Sequence, residues 1–314
     1  MQRYRSLILL ILLTGILFAC NFPSFDTSQT GSASDVDVYS GINLSHLSDY
    51  QSSYEVAFEG DYAWKYSLVA IHKAGITERN LHIEGVEGSQ NPGDVRLVSN
   101  GETSWMTGPG VEGECVMFPD DFDLDYSFLS PDDIFPPKSI APLLVFVSEE
   151  QKDGTLVQNF LGSTAEHEGW RNLIIEMSLV KGEGYPILYK ISAEGSDPIF
   201  DAGTGKINST FFISADPNYE IYPITGCEIP ISLPEGASQI VRFPGLYSFE
   251  VSEPPENVVN FYQDYLAAHG WEEIQPLIET DTGLQMSYTK GKSILVFYFK
   301  TIDEGVLVEV LEQE

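Results

Sequence analysis

The feature that most constrains the fold is a repeated alternation of apolar and polar residues with a period of two. One face of the first such segment carries Tyr54, Val56 and Phe58, with polar residues such as Glu55 between them. Successive side chains of a β-strand point to opposite faces of a sheet, so the pattern predicts strands with one buried face and one wet face. Gly-rich turns separate the segments, which indicates an antiparallel sheet. The later apolar positions of this kind are Trp64, Tyr66, Leu68, Leu81, Ile83, Val95, Leu97, Val116, Phe118, Leu173, Ile175, Met177, Leu179, Ile187, Tyr189 and Ile191.

The buried face of such a sheet needs a cover. The segment 127–147 predicts a broken helix or lid, because Ser130 followed by Pro131 is typical of a helix start and three further prolines exclude one long helix. A short helix is also predicted at 44–50. The expected architecture is a mainly β, curved antiparallel half-barrel covered by short helices.

A second body is predicted after a boundary at 233–236. Pro255 suits the first position of a helix and Gly270 suits its end, and the apolar residues between them fall on one face. Short alternating segments on both sides of this helix predict strands. Residues 236–314 are therefore expected to form a small α+β domain.

The N-terminus predicts export and a lipid anchor. Arg3 and Arg5 precede an apolar run that is shorter than the roughly 20 residues a membrane-spanning helix needs, which is typical of a signal peptide. The run ends at Cys20, in a Leu-Phe-Ala-Cys stretch that resembles the bacterial lipobox. That resemblance implies a lipoprotein signal peptide at 1–19, a diacylglycerol on Cys20 and a flexible, acidic, Ser-rich tether at 20–40. The alternative is an ordinary secretory signal with an incidental cysteine.

The net charge of the chain limits the classes of partner that it can bind. With 16 basic and 47 acidic residues, the formal net charge is -31. This charge repels nucleic acid and anionic lipid headgroups, so no nucleic-acid partner is expected. Contact with a membrane is expected through the acyl chains on Cys20, and the protein is expected in an extracytoplasmic space of the cell envelope.

The cysteine count is consistent with an oxidising compartment. The chain has three cysteines, and once Cys20 carries lipid, Cys115 and Cys227 remain as a pair. A disulfide between them is the expected state, and two buried thiols are the alternative.

Residues 41–232 resemble the superfamily of the lipoprotein carrier LolA and the mycobacterial glycolipid carrier LprG. The resemblance rests on the lipobox, the acidic tether, the one-sided strands with Gly turns, the Pro-broken helical middle and the late TGCEIPISLP segment. It implies an open half-barrel whose apolar concave face holds acyl chains. The ligand-lining candidates under this resemblance are Tyr54, Val56, Phe58, Trp64, Tyr66, Leu68, Leu173, Ile175, Met177, Ile187 and Tyr189, for which a plain packed core is the alternative.

The sequence contains only incomplete versions of known metal-binding and catalytic motifs. Asp121, Asp123 and Asp125 have the spacing that opens a calcium loop, but Tyr126 occupies the position that needs glycine. His167 lacks the second histidine of a zinc-protease helix. No catalytic residue, metal or cofactor is therefore assigned. The sequence favours a lipoprotein that binds a lipid or another hydrophobic ligand, and the alternatives are a non-enzymatic envelope module that binds a protein and a hydrolase with a carboxylate site.

Overall fold

The architecture is taken from a computed structural model of the chain, which describes residues 39–85, 94–108, 115–121, 128–152, 154–214 and 219–313. The predicted signal peptide, Cys20 and nearly all of the tether lie outside these residues, so the lipid anchor stays a prediction. Across the described ranges, no helix has the length and the apolar character needed to cross a membrane.

Strands dominate the described residues and join into one sheet of 17 strands. The first eleven are β1 (Tyr50–Glu59), β2 (Ala63–Lys73), β3 (Ile76–Glu84), β4 (Asp94–Ser99), β5 (Thr103–Thr107), β6 (Val116–Pro119), β7 (Val145–Lys152), β8 (Thr155–His167), β9 (Trp170–Val180), β10 (Pro186–Ser196) and β11 (Thr204–Ser214). The last six are β12 (Ser238–Phe243), β13 (Leu246–Val251), β14 (Glu272–Thr280), β15 (Gly283–Lys290), β16 (Ser293–Ile302) and β17 (Gly305–Gln313).

The strand pairings give an open antiparallel sheet. Starting from one edge, the order is β7, β8, β9, β10, β11, β1, β2, β3, β4, β5 and β6, followed by β12, β13, β17, β16, β15 and β14. Most neighbours follow one another along the chain, as expected for hairpins joined by short turns. The exceptions are the pairs β1 with β11, β6 with β12 and β13 with β17. The prediction of a curved, mainly antiparallel sheet with a few short helices is confirmed.

The first core lies on the face of the sheet that we call the inner face, where the period-two residues gather. Val56, Phe58, Ile175 and Tyr189 are fully buried there, because alternation along each strand puts all of them on one side. Tyr39 packs in the same core. The opposite, outer face is largely wet.

Short helices cover part of this inner face, as the prolines predict. They are α1 (Pro131–Ile134), α2 (Pro137–Ile140) and a 3₁₀ turn at Ala141–Leu143. At the start of α1, the Ser130 backbone N–H donates to Asp133 Oδ2 at 2.7 Å, which satisfies a donor that the helix leaves free. The end of the predicted lid differs, because residues from Val145 onward form the edge strand β7.

The predicted helix at 44–50 is wrong. The segment forms turns, and Tyr50 already begins β1. Two hydrogen bonds explain the difference: Asn43 Oδ1 accepts from both the backbone N–H and the hydroxyl of Ser45, at 3.1 and 2.7 Å. Side chains of this kind compete with helical hydrogen bonding.

The second core lies between the C-terminal strands and α3 (Pro255–Ala268). The helix ends as predicted, with Gly270 in the left-handed region at φ 75°. Val258, Val259, Tyr262 and Leu266 are buried, and Tyr262 lies against the Phe297 ring with centroids 4.8 Å apart. This core includes Phe249, Met286, Leu295, Val306, Val308 and Val310. The small α+β body is thus present, while its boundary at 233–236 as a separate domain stays a prediction.

The two cores meet at β6 and β12. Met117 pairs with Arg242, whose Nη1 donates to the Cys115 carbonyl at 2.5 Å. A disulfide joins Cys115 to Cys227, with the Cα atoms 5.0 Å apart, which agrees with the sequence prediction. It connects the start of β6 to the segment that leads into β12.

Candidate functional site

A large cavity lies beside the first core, at one end of strands β2 to β6. Its volume is about 940 Å³, and we call it the β2–β6 cavity. Small-molecule sites in proteins are typically about 300 to 1,000 Å³, so this cavity is large enough for a ligand.

Apolar side chains form two opposing walls of this cavity. The sheet contributes Leu68 from β2, Leu97 from β4, Met106 from β5 and Phe118 from β6. The facing wall is built by the N-terminal segment and the residues before α1, which contribute Ile42, Leu44, Leu47, Phe128 and Leu129. Such walls favour a ligand with an apolar part, since burying apolar surface gains roughly 25 cal/mol per Å².

Asp132 holds the N-terminal segment over the sheet. Its carboxylate accepts hydrogen bonds from the Tyr39 hydroxyl and from the Ile42 backbone N–H, the latter at 2.7 Å. Burial and the hydrogen bond to this carboxylate both raise the pKa of Tyr39, so the hydroxyl remains a donor at physiological pH. The wall that carries Ile42 is therefore attached to α1.

Tyr66 holds the other part of that wall. Its hydroxyl accepts a 3.0 Å hydrogen bond from the Leu129 backbone N–H. Burial raises the pKa of Tyr66 to about 12, so the group stays neutral in this position.

Polar side chains at the cavity are mostly paired with each other. His72 Nδ1 and Thr77 Oγ1 are 2.8 Å apart, and the Tyr50 ring stacks on His72. Ser99 donates to the Asp120 carboxylate at 2.7 Å, and Ser104 donates to the same group. These contacts fix one polar cluster on β2 and β3 and another near the end of β6.

Arg79 is the cation that lines this cavity. It lies on the inner face of β3 and is half-buried, and its Cζ is 5.4 Å from the centre of the Phe128 ring. That distance is within the range of a cation–π contact. Nothing in the sequence pattern distinguished Arg79 from a surface arginine, because β3 alternates irregularly and the cavity is formed by distant segments.

The neighbouring Glu78 points to the outer face and is 1% exposed. Arg96 donates to both of its carboxylate oxygens, from Nε at 3.1 Å and from Nη2 at 3.0 Å, and Asn80 adds a bond at 2.8 Å. Burial alone would raise the pKa of Glu78, but the bonds from Arg96 and Asn80 outweigh it and lower the pKa below its ordinary value. Glu78 is therefore charged, and its charge is balanced on the outer face.

Most of the ligand-lining residues predicted from the sequence lie inside the first core rather than at the cavity. Leu68 is the member of that set that borders the β2–β6 cavity. Nine others are buried in the first core, and Ile187 packs against it half-buried. The nine are Tyr54, Val56, Phe58, Trp64, Tyr66, Leu173, Ile175, Met177 and Tyr189. Ligand contact by these eleven residues stays a prediction. The structure shows that the cavity is lined instead by polar and apolar residues at the ends of β2 to β6.

One hydroxyl contacts a histidine outside the cavity. Ser139 Oγ lies 2.7 Å from His167 Nε2 and donates to Glu168 Oε2 at 2.6 Å. In a catalytic triad the acid orients the imidazole, whereas here Glu168 binds the serine itself. The geometry indicates a cap that ties α2 to the β8–β9 turn.

A second cavity of about 800 Å³ lies at the junction of the two cores. It is bordered by Glu102, Asp120 and Asp121 on one side and by residues 237–240 on the other. Within the part of the chain that the structure describes, no group of three or more His, Cys, Asp or Glu side chains could hold a metal ion. The predicted acidic loop residues Asp123 and Asp125 lie outside that part.

Comparison with known proteins gives a family match for the C-terminal part of the chain. Residues 244–313 are similar to a family described as START domain-like. This range covers α3 and the strands β13 to β17. No curated protein matches the sequence.

Solved structures are similar at low identity. The MucA/MucB complex of Pseudomonas aeruginosa is 15% identical, with 84% of this chain and 87% of that chain covered and a TM-score of 0.25. An uncharacterized conserved protein from Thermus thermophilus is 12% identical, with coverages of 58% and 91% and a TM-score of 0.23. A DUF1329 family protein from Desulfovibrio piger is 10% identical, with coverages of 55% and 85% and a TM-score of 0.20. At such TM-scores these likenesses carry no functional argument.

Proposed function

We propose that the protein is a membrane-anchored extracytoplasmic lipoprotein that binds a hydrophobic molecule in the β2–β6 cavity. The observation that carries the proposal is a cavity of about 940 Å³ between two apolar walls. A binding role suits these walls, since they offer area to an apolar ligand. The cofactor-free, non-enzymatic function is part of the proposal.

The anchor belongs to the proposal on sequence grounds. Cys20 follows a short apolar run in a stretch that resembles a lipobox, and the polar residues after it would serve as a tether. The Cys115–Cys227 disulfide is consistent with an oxidising compartment outside the cytoplasm.

Uptake of a fluorescent fatty acyl probe tests the binding function. We would use the full-length chain with Cys20→Ala, so that no covalent acyl group competes for the cavity. Met106→Trp adds bulk inside the cavity and should weaken uptake at least about tenfold, which corresponds to about 1.4 kcal/mol.

The matched control is Ile174→Trp, since Ile174 lies on the outer face and is 51% exposed. This variant should bind the probe like the parent chain, and circular dichroism should show both variants folded. No uptake by the parent chain, or equal uptake by the folded Met106→Trp variant, would refute the proposal.

A second candidate function, binding of an envelope protein, is favoured by the edge strand β7. All eight of its residues are exposed, and Val145, Phe146 and Val147 are 66%, 47% and 47% exposed. An edge strand presents unpaired backbone groups to which another strand can add. A photo-crosslinker at Val147 that captures one defined protein in intact cells, in a chain that takes up no acyl probe, would favour this function over the first.

A further inference from the structure

Arg79 carries an unbalanced positive charge into the β2–β6 cavity. Its neighbour Glu78 points to the outer face, where Arg96 and Asn80 already bind its two oxygens. Because side chains alternate along β3, Glu78 lies on the outer face, where Arg96 neutralises it, and Arg79 lies on the inner face. No ion pair or hydrogen bond to Arg79 is present among the described residues. Arg79 contacts the Phe128 ring, and its charge opposes the rise that burial causes in the pKa of Tyr50.

Leaving this guanidinium unpaired is unusual in so acidic a chain. The sequence has 47 acidic and 16 basic residues, so a carboxylate partner was readily available. A half-buried charge without a partner is costly, and a guanidinium offers five N–H donors in a fork that fits carboxylate or phosphate. The Arg79 guanidinium can therefore donate hydrogen bonds to an anionic ligand.

Among the described residues, the other polar groups of the cavity do not supply that anion. Asp120 lines the same cavity but accepts from Ser99 and Ser104, and it forms no ion pair with Arg79. His72 is engaged with Thr77. Among the described residues, Arg79 therefore lines the cavity beside Leu68, Leu97 and Met106 without an anionic partner.

We propose that the ligand is an anionic amphiphile, whose carboxylate or phosphate accepts hydrogen bonds from Arg79 while its acyl chain lies along the apolar walls. This inference rests on the proposed function and names the class of ligand. The shared chemistry is an oxyanion at the end of a chain. A fatty acid would supply a carboxylate, and a phospholipid derivative would supply a phosphate.

The test compares three ligands that share one chain: dodecanoate, dodecyl phosphate and dodecanol. Titration calorimetry with the Cys20→Ala full-length chain should show at least one of the two anions binding about tenfold more tightly than the alcohol. Arg79→Gln should remove that preference and leave dodecanol binding unchanged, and Arg79→Lys should keep part of it. The stronger of the two anions identifies the source of the oxyanion.

Arg171→Gln is the matched control, because it removes the same charge from an exposed position on β9 outside the cavity. It should keep the full preference for the anion. Equal binding of all three ligands, or an unchanged preference in Arg79→Gln, would overturn the anionic inference while the hydrophobic binding function stands. Binding of none of the three would overturn the proposed function itself.

Discussion

Replacing Arg96 with alanine should destabilise the protein through the carboxylate that it leaves behind. Glu78 is 1% exposed, and its two oxygens receive two hydrogen bonds from Arg96 and one from Asn80. The variant keeps the buried charge and removes both charge-assisted bonds. Arg96 also donates to the Tyr222 carbonyl, so its loss frees the segment that crosses the outer face there.

The expected loss follows from the geometry. Removing one partner of a buried ion pair costs about 3 to 5 kcal/mol. The Arg96 side chain is 29% exposed, so water replaces some of its contacts, and the Asn80 bond to Glu78 remains. We therefore expect the low end, about 3 kcal/mol, measured as the change in free energy of unfolding by urea.

The pH dependence separates this charge effect from lost packing. In the parent chain the pKa of Glu78 is lowered, so its stabilising contribution is present above the unfolded-state pKa of about 4.3 and is lost as the pH falls through the lower folded value. Without Arg96, burial raises the pKa of Glu78 instead. The stability difference between Arg96→Ala and the parent should thus be largest at neutral pH, shrink as the pH falls through the raised pKa of Glu78 in the variant, and level off below the lowered pKa of Glu78 in the parent.

Two controls decide the interpretation. The double variant Glu78→Gln, Arg96→Ala removes the buried charge and should recover part of the lost stability. Lys65→Ala, which breaks an exposed pair with Glu55 on the same face, should leave the urea midpoint unchanged. A loss below about 0.5 kcal/mol in Arg96→Ala, or a loss that does not vary with pH, would refute the reasoning.

Three further predictions concern the anchor and the two cores. Cys20→Ala should move the protein from the membrane fraction to the soluble fraction without a change in its circular dichroism, and an unmodified Cys20 in the intact mass of the membrane-extracted parent would contradict it. Replacing both Cys115 and Cys227 with serine opens a loop with a sequence separation of 112 residues and should cost about 4 to 5 kcal/mol in urea unfolding, with an unchanged midpoint as the contrary result. Tyr262→Phe removes a 3.1 Å bond to the Ser232 carbonyl and should cost about 1 kcal/mol, whereas Tyr262→Ala should cost about 3 to 5 kcal/mol; equal losses in the two would contradict the packing role of the ring.

Sequence pattern predicts the strands that have one buried face. Tyr54, Val56 and Phe58 repeat with a period of two, and the structure buries all three on the inner face of β1. Strands at the two edges of the sheet gave no such pattern. All residues of β7 are exposed, and β14 contains Pro276 with little burial on either face, so neither strand shows an alternation to detect.

The candidate site was less predictable for a related reason. The most apolar alternating residues, such as Met177 and Tyr189, are the ones that pack best, so they fill the first core. The cavity lies where the packing ends, and its walls mix Leu68 with serines, a histidine and Arg79. Strand ends that carry both polar and apolar side chains show no local sequence pattern that predicts a cavity. The opposite wall, which includes Ile42, is held there by a hydrogen bond to Asp132, 90 residues away in the sequence.

The position of β1 determines the order in which the first half of the protein can fold. Its neighbour β2 follows at once, but its other neighbour β11 comes only after β2 to β10 have been made. Pairings between distant segments must overcome a large loop entropy and form slowly. A chain synthesised from its N-terminus therefore has β1 with one unpaired edge until β11 has been made. Cys227 lies later still in the sequence, so the disulfide with Cys115 can close only after every strand of the first core has been synthesised.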